Sequence, residues 1–82
     1  MNTEKQRALY RLSTYLGPDV DAVADKSARE LSGKSGARFR AAMERMKKHL
    51  ALLGAGRRAA SLTAVFAVMV RERMATIKRL SA

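Results

Sequence analysis

Apolar positions along the chain fall into four blocks at helical spacing, separated by breaks that carry glycine. Leu9, Leu12 and Leu16 stand at i, i+3 and i+7, widened by Ala8 and Tyr15, while Arg7 and Arg11 lie on the other side. This spacing predicts an amphipathic helix over residues 3–16, with Thr3-x-x-Gln6 in the form of a capping box and Gly17 as its stop. Pro18 at a first helical position, with Asp19 and Asp21 in the opening turn, predicts a second helix over 18–31. Its apolar face is Val20, Val23, Ala24, Ser27 and Leu31, small enough for close approach to a neighbour. The segment Ser32-Gly33-Lys34-Ser35-Gly36 breaks the pattern.

The third block is the most regular. Phe39, Met43, Met46, Leu50 and Leu53 are spaced 4, 3, 4 and 3 apart, which places them within about 80° of one another on a helix. A helix over 36–53 follows, capped by Ser35 and ended by Gly54 at C′. The fourth helix is expected over 57–80, starting at Arg57 or with Ser61 as its N-cap. Its stripe is Leu62, Phe66, Met69, Val70, Ile77 and Leu80, with Met74 at the edge. Val65 and Val68 extend apolar character around its first half, which predicts burial in the centre of the fold or in a subunit interface. No segment alternates with period two for long enough to make a strand. The expected fold is all-α: a small compact bundle of about four helices forming a single helical domain over residues 1–82.

Composition narrows this picture. A chain of 82 residues buries about 60–65% of the surface of its unfolded form, enough for a modest core and little more. Hydrophobic residues are 48% of the chain, which argues for a folded domain over a disordered polycation. The aromatic residues are Tyr10, Tyr15, Phe39 and Phe66, so the core must come from Leu, Val, Ala and Met. There is no cysteine and one histidine, His49, which leaves neither a thiolate site nor a histidine pair for metal, and no cofactor is expected. The opening Met1-Asn2-Thr3-Glu4-Lys5-Gln6-Arg7 has no apolar run and does not read as a signal peptide. The longest apolar stretch, Leu62 to Val70, is far short of the roughly 20 residues that cross a bilayer. A cytoplasmic protein without a membrane partner is expected.

Charge changes the picture most. The chain carries a net +10, and its distribution is uneven. Residues 1–31 are a neutral helical pair: Glu4, Asp19, Asp21, Asp25 and Glu30 balance Lys5, Arg7, Arg11, Lys26 and Arg29. Residues 32–82 form a basic helical hairpin with twelve Lys and Arg against Glu44 and Glu72. Such asymmetry points to a polyanion approached by one half of the molecule. Lys34, Arg38, Arg40, Arg45, Lys47, Lys48, Arg57 and Arg58 are the expected phosphate contacts, on helix three and its flanking turns. Any sequence specificity is expected from the arginines of helix three, since arginine reads guanine edges bidentately. The same residues also make an ordinary solvated face.

Other patterns carry less. Ala28, Gly33 or Gly36 and helix three supply a loose helix-turn-helix, but the connecting segment is longer than the usual turn. Gly33-Lys34-Ser35 matches the end of a P-loop, yet position 28 is Ala where the first glycine belongs and no strand precedes it, so an interhelical turn is the better reading. Arg73 falls inside the apolar stripe of helix four. It is expected either to snorkel to water or to pair with Glu30, Glu44 or an acid across a dimer interface. Met43, Met46, Met69 and Met74 read as core, with an adaptable protein-binding groove as the other use. His49 reads as a boundary residue. Ser35 and Ser61 have no suitable base nearby, and Asp19, Asp21 and Asp25 are explained by a helix start, so no catalytic set is expected.

The leading expectation is thus a non-enzymatic, basic nucleic-acid-binding protein, with duplex DNA favoured and a regulatory or architectural role. The alternative is a protein-binding adaptor or inhibitor, of the kind mobile elements use to block a host complex, with an acidic partner. A homodimer is expected in either case, with Leu62, Val65, Phe66, Met69 and Arg73 as the candidate interface.

Overall fold

A computed structural model of the chain describes residues 3–81, and within them four helices follow one another: α1 (Thr3–Leu16), α2 (Val20–Leu31), α3 (Gly36–Leu52) and α4 (Arg58–Ser81). The fold is an all-α bundle. α4 is its axis and packs against each of the other three helices, α1 and α2 also pack on each other, and α3 rests on α4 with only slight contact to α1 or α2.

Local chemistry explains the helix ends. Gly17 takes φ +89°, a left-handed conformation that a side chain disfavours, and its N–H donates to Ser13 O at 2.9 Å as α1 stops. α3 closes in a Schellman motif: the N–H of Gly54 donates to Ala51 O at 3.1 Å and that of Ala55 to Leu50 O at 3.0 Å, with Ala55 buried beneath the turn. At the other end of α3 the Ser35 hydroxyl accepts from the Arg38 N–H at 3.3 Å, as the N-cap reading expects.

Two expected helix starts shift, and α1 keeps its expected bounds but not its expected cap. α2 begins at Val20, because Pro18 lies in the preceding turn and Asp19 is the N-cap, at φ −92° and ψ 39° and without a side-chain capping bond. α4 begins at Arg58, so Ser61 is inside the helix and donates its hydroxyl hydrogen to Arg58 O at 3.1 Å. Thr3 is already helical, so the position that would cap α1 lies outside the described residues.

The core is built where the stripes meet. Leu12 of α1, Leu50 of α3 and Phe66 and Val70 of α4 are its largest fully buried side chains. α2 presents Val20, Ala24, Ala28 and Leu31 to it. The fully buried alanines leave little bulk between α2 and α4, and Ala28 replaces the expected Ser27, which is only half-buried. Thr63 is the one buried polar residue among those described, and its hydroxyl donates to Ala59 O at 2.6 Å, which satisfies it.

Not every stripe residue reaches the core. Met43, Met46, Met74 and Ile77 are half-buried, Leu53 is exposed, and Leu80 is 83% exposed. Beyond Ile77 every described residue of α4 is exposed, because the helix outruns its neighbours.

Arg73 has a partner that its position in the stripe does not suggest. Its Nη2 donates to Asp21 Oδ1 of α2 at 2.7 Å, and neither Glu30 nor Glu44 is involved. The arginine side chain is 28% exposed and the aspartate 84%, so the stem packs against the bundle while the charges meet in water. Asp21→Asn is therefore expected to lower stability by no more than about 1 kcal/mol. Urea unfolding followed by circular dichroism checks this, and a larger loss would mean that the pair organises the α2–α4 contact.

Candidate nucleic-acid interface

The expected cations divide among several places. α3 contacts chiefly α4, so most of its circumference is open, and its stripe of Phe39, Met43, Met46 and Leu50 faces inward. On one flank Arg40 and Lys47 face α4 across a shallow groove of about 440 Å³ that also holds Phe39, Met43, Glu44, Thr63, Ala64 and Arg71. On the opposite flank Arg38 and Arg45 line a second crevice with Glu30 and Leu31 of α2 and Ala41. From the helical repeat the two flanks are about 160° apart, and Lys48 is exposed on the ridge between them. Lys34 precedes the N-terminus of α3, while Arg57 and Arg58 follow its C-terminal turn. The 17 residues of α3 put these two ends about 25 Å apart. The eight residues thus form two rails along one helix, with Lys48 on the ridge between them and outlying charges at either end, and not a single face.

Most of these charges are free of acids. Among the described residues Lys34, Arg38, Arg40, Arg45, Lys48, Arg57 and Arg58 make no ion pair, and Lys47 makes one with Glu44 at 3.4 Å. That contact, between side chains 43% and 62% exposed, contributes little.

Arg71 is a member of this site that sequence reasoning misses. Its guanidinium carbon stands 4.5 Å from the centroid of the Phe39 ring, a cation–π contact that fixes an arginine on the rim of the α3–α4 groove. The signal was symmetry about the turn: in an antiparallel α3–α4 hairpin folded near Ala55, residues 39 and 71 stand opposite each other. α4 turns small residues to the groove at Ala60, Ala64 and Ala67, and Arg71 completes that row.

The candidate subunit interface is placed differently. Leu62, Phe66 and Met69 are buried within one chain, Val65 is half-buried, and Arg73 is engaged with Asp21. The apolar residues of the first half of α4 are mostly buried within the one chain, whose α4 packs on α1, α2 and α3, with Val68 the large residue left exposed there. The helix-turn-helix expectation fares similarly: α2 and α3 follow each other across the Ser32–Gly36 segment but scarcely touch, so they are not the packed pair that motif requires. Gly33 takes φ +77° in this turn, and the Lys34 N–H donates to Leu31 O at 3.0 Å.

Among the described residues no group of three or more His, Cys, Asp or Glu is placed to hold a metal ion, and no helix is long and apolar enough to cross a membrane. No family model, curated protein or solved structure matches the chain.

Proposed function

We propose that this chain is a cytoplasmic duplex-DNA-binding protein, acting as a regulator or architectural factor without catalysis. One observation carries the reading: α3 is exposed except where it rests on α4 and where Arg38 and Arg45 border α2, and among the described residues its arginines and Lys48 make no ion pair. Cations held on a rigid helix without acidic partners are arranged to neutralise phosphates and release their counterions. Arg38 and Arg45 serve one rail and Arg40, Lys47 and Arg71 the other. With five or six phosphates engaged, log Kd against log salt is expected to have a slope of about 5, so affinity falls about 10³-fold between 50 and 200 mM salt. Fluorescence anisotropy on a random-sequence duplex measures this, and absence of binding at the lower salt overturns the reading.

A second reading, a protein-binding adaptor, draws on the apolar floor of the α3–α4 groove, where Met43, Ala60 and Ala64 lie between basic rims suited to an acidic partner. It would gain from a stoichiometric partner that survives nuclease treatment. Neither reading needs a dimer to bury α4. Solution mass decides assembly: a value near 9.0 kDa is one chain, and twice that the homodimer.

A further inference from the structure

Between its two cationic rails α3 carries a third strip, bordered by Glu44 at the rim of the α3–α4 groove and by Ala41 at the crevice beside α2. Ala37, Ala41, Glu44 and Lys48 fall within about 60° of one another on the helix, and all four are exposed. The strip is narrow and low, with two methyl groups and two charged side chains of opposite sign. Its rails lie to either side, Arg40 and Lys47 on one flank and Arg38 and Arg45 on the other.

This cross-section matches a duplex in one orientation. A helix with its side chains is about 10–12 Å wide, and the major groove of B-form DNA is about 12 Å wide, with a phosphate rim on each side. Cations on opposite flanks of a helix lying in that groove meet opposite rims, whereas a helix lying across the outside of the duplex would use one flank only. The strip between the rails then faces the base edges. The chemistry of the strip is that of base readout: the Lys48 ammonium donates to guanine O6 and N7, the Glu44 carboxylate accepts from cytosine N4, and the Ala41 methyl packs on a thymine methyl.

We infer that α3 is a major-groove recognition helix and that Glu44 and Lys48, not the flanking arginines, determine its base preference. The inference rests on the duplex-DNA reading above and adds sequence specificity to it. Glu44 and Lys48 are one helical turn apart, about 6 Å along the axis, so they reach bases about two pairs apart. The preferred site holds a guanine for Lys48 and a cytosine for Glu44 at that separation. Glu44 is the telling residue. A carboxylate on a surface that merely attracts phosphate weakens binding to every sequence alike, whereas one that accepts from cytosine favours particular sequences. Its exposed contact with Lys47 is readily given up.

The test is selection of the full chain on a library of duplexes with a random core, followed by anisotropy on the selected duplex and a shuffled control. The wild-type chain is expected to enrich a common G·C-containing step and to prefer it over the shuffled duplex by about 10–100-fold. Glu44→Ala is expected to bind the shuffled duplex at least as well as the wild type while its preference falls by about fivefold or more. Lys48→Ala is expected to lose preference at the guanine position. Both sites are exposed and alanine suits a helix, so circular dichroism should show both variants folded. Binding without enrichment, or the same enriched step in both variants, overturns the inference and leaves the duplex-DNA reading standing. Absence of binding to every duplex overturns both.

Discussion

Phe66→Ala is expected to cost about 3–5 kcal/mol of folding stability. Phe66 is fully buried on the inward face of α4, the helix against which every other helix packs. Removing its ring leaves a cavity that Leu12, Leu50 and Val70, themselves fully buried, are poorly able to close. For 82 residues the whole margin is about 4–12 kcal/mol, so the variant should be largely unfolded under mild denaturing conditions. Urea titration followed by circular dichroism reads the shift. Leu80→Ala is the control: it removes a side chain of similar hydrophobicity from an exposed site on the same helix and should move stability by no more than about 0.5 kcal/mol. Comparable losses from the two would mean that α4 is not packed as described.

Replacing Arg38, Arg40 and Arg45 together with alanine is expected to weaken duplex binding by about 10²–10³-fold at 0.1 M salt. Each phosphate contact contributes about 0.9 to the slope of log affinity against log salt, so three contacts remove about 2.7 from it. The three arginines are exposed, make no ion pair among the described residues, and occupy both flanks of α3. The fold should be untouched, since alanine is the better helix former. A variant that keeps its fold and its salt slope would place the nucleic acid elsewhere on the molecule.

Much of the fold is legible in the residues because helix ends are set locally. Gly17, Ser35 and Gly54 act through bonds within one turn, and the stops and the α3 cap follow from residue type alone. Inward faces are legible where the stripe is dense, as at Phe39 and Leu50 or at Leu62, Phe66 and Val70. Where neighbours run out, the pattern misleads: Leu53 and Leu80 keep the period yet face solvent. Pairings between helices are the least legible, because they depend on which faces meet. Arg73 joins Asp21 from 52 positions away, and the apolar character of α4 that suggested a subunit interface is absorbed by three neighbours of the same chain. The basic site shows both behaviours. Its residues and its helix are plain from charge alone, but its division into two rails, and the place of Arg71 beside them, depends on how α3 lies on α4.

The central place of α4 also bears on how the chain reaches its folded state. α4 is the last of the four helices to be synthesised, and α3 has almost nothing but α4 to rest on. A nascent chain that has not yet extended past Leu62 therefore holds Leu12, Leu31, Phe39 and Leu50 without the surface that covers them. Structure is expected to be acquired late and in one cooperative step, and translational stalling within α4 would leave a cationic, apolar intermediate as a client for chaperones.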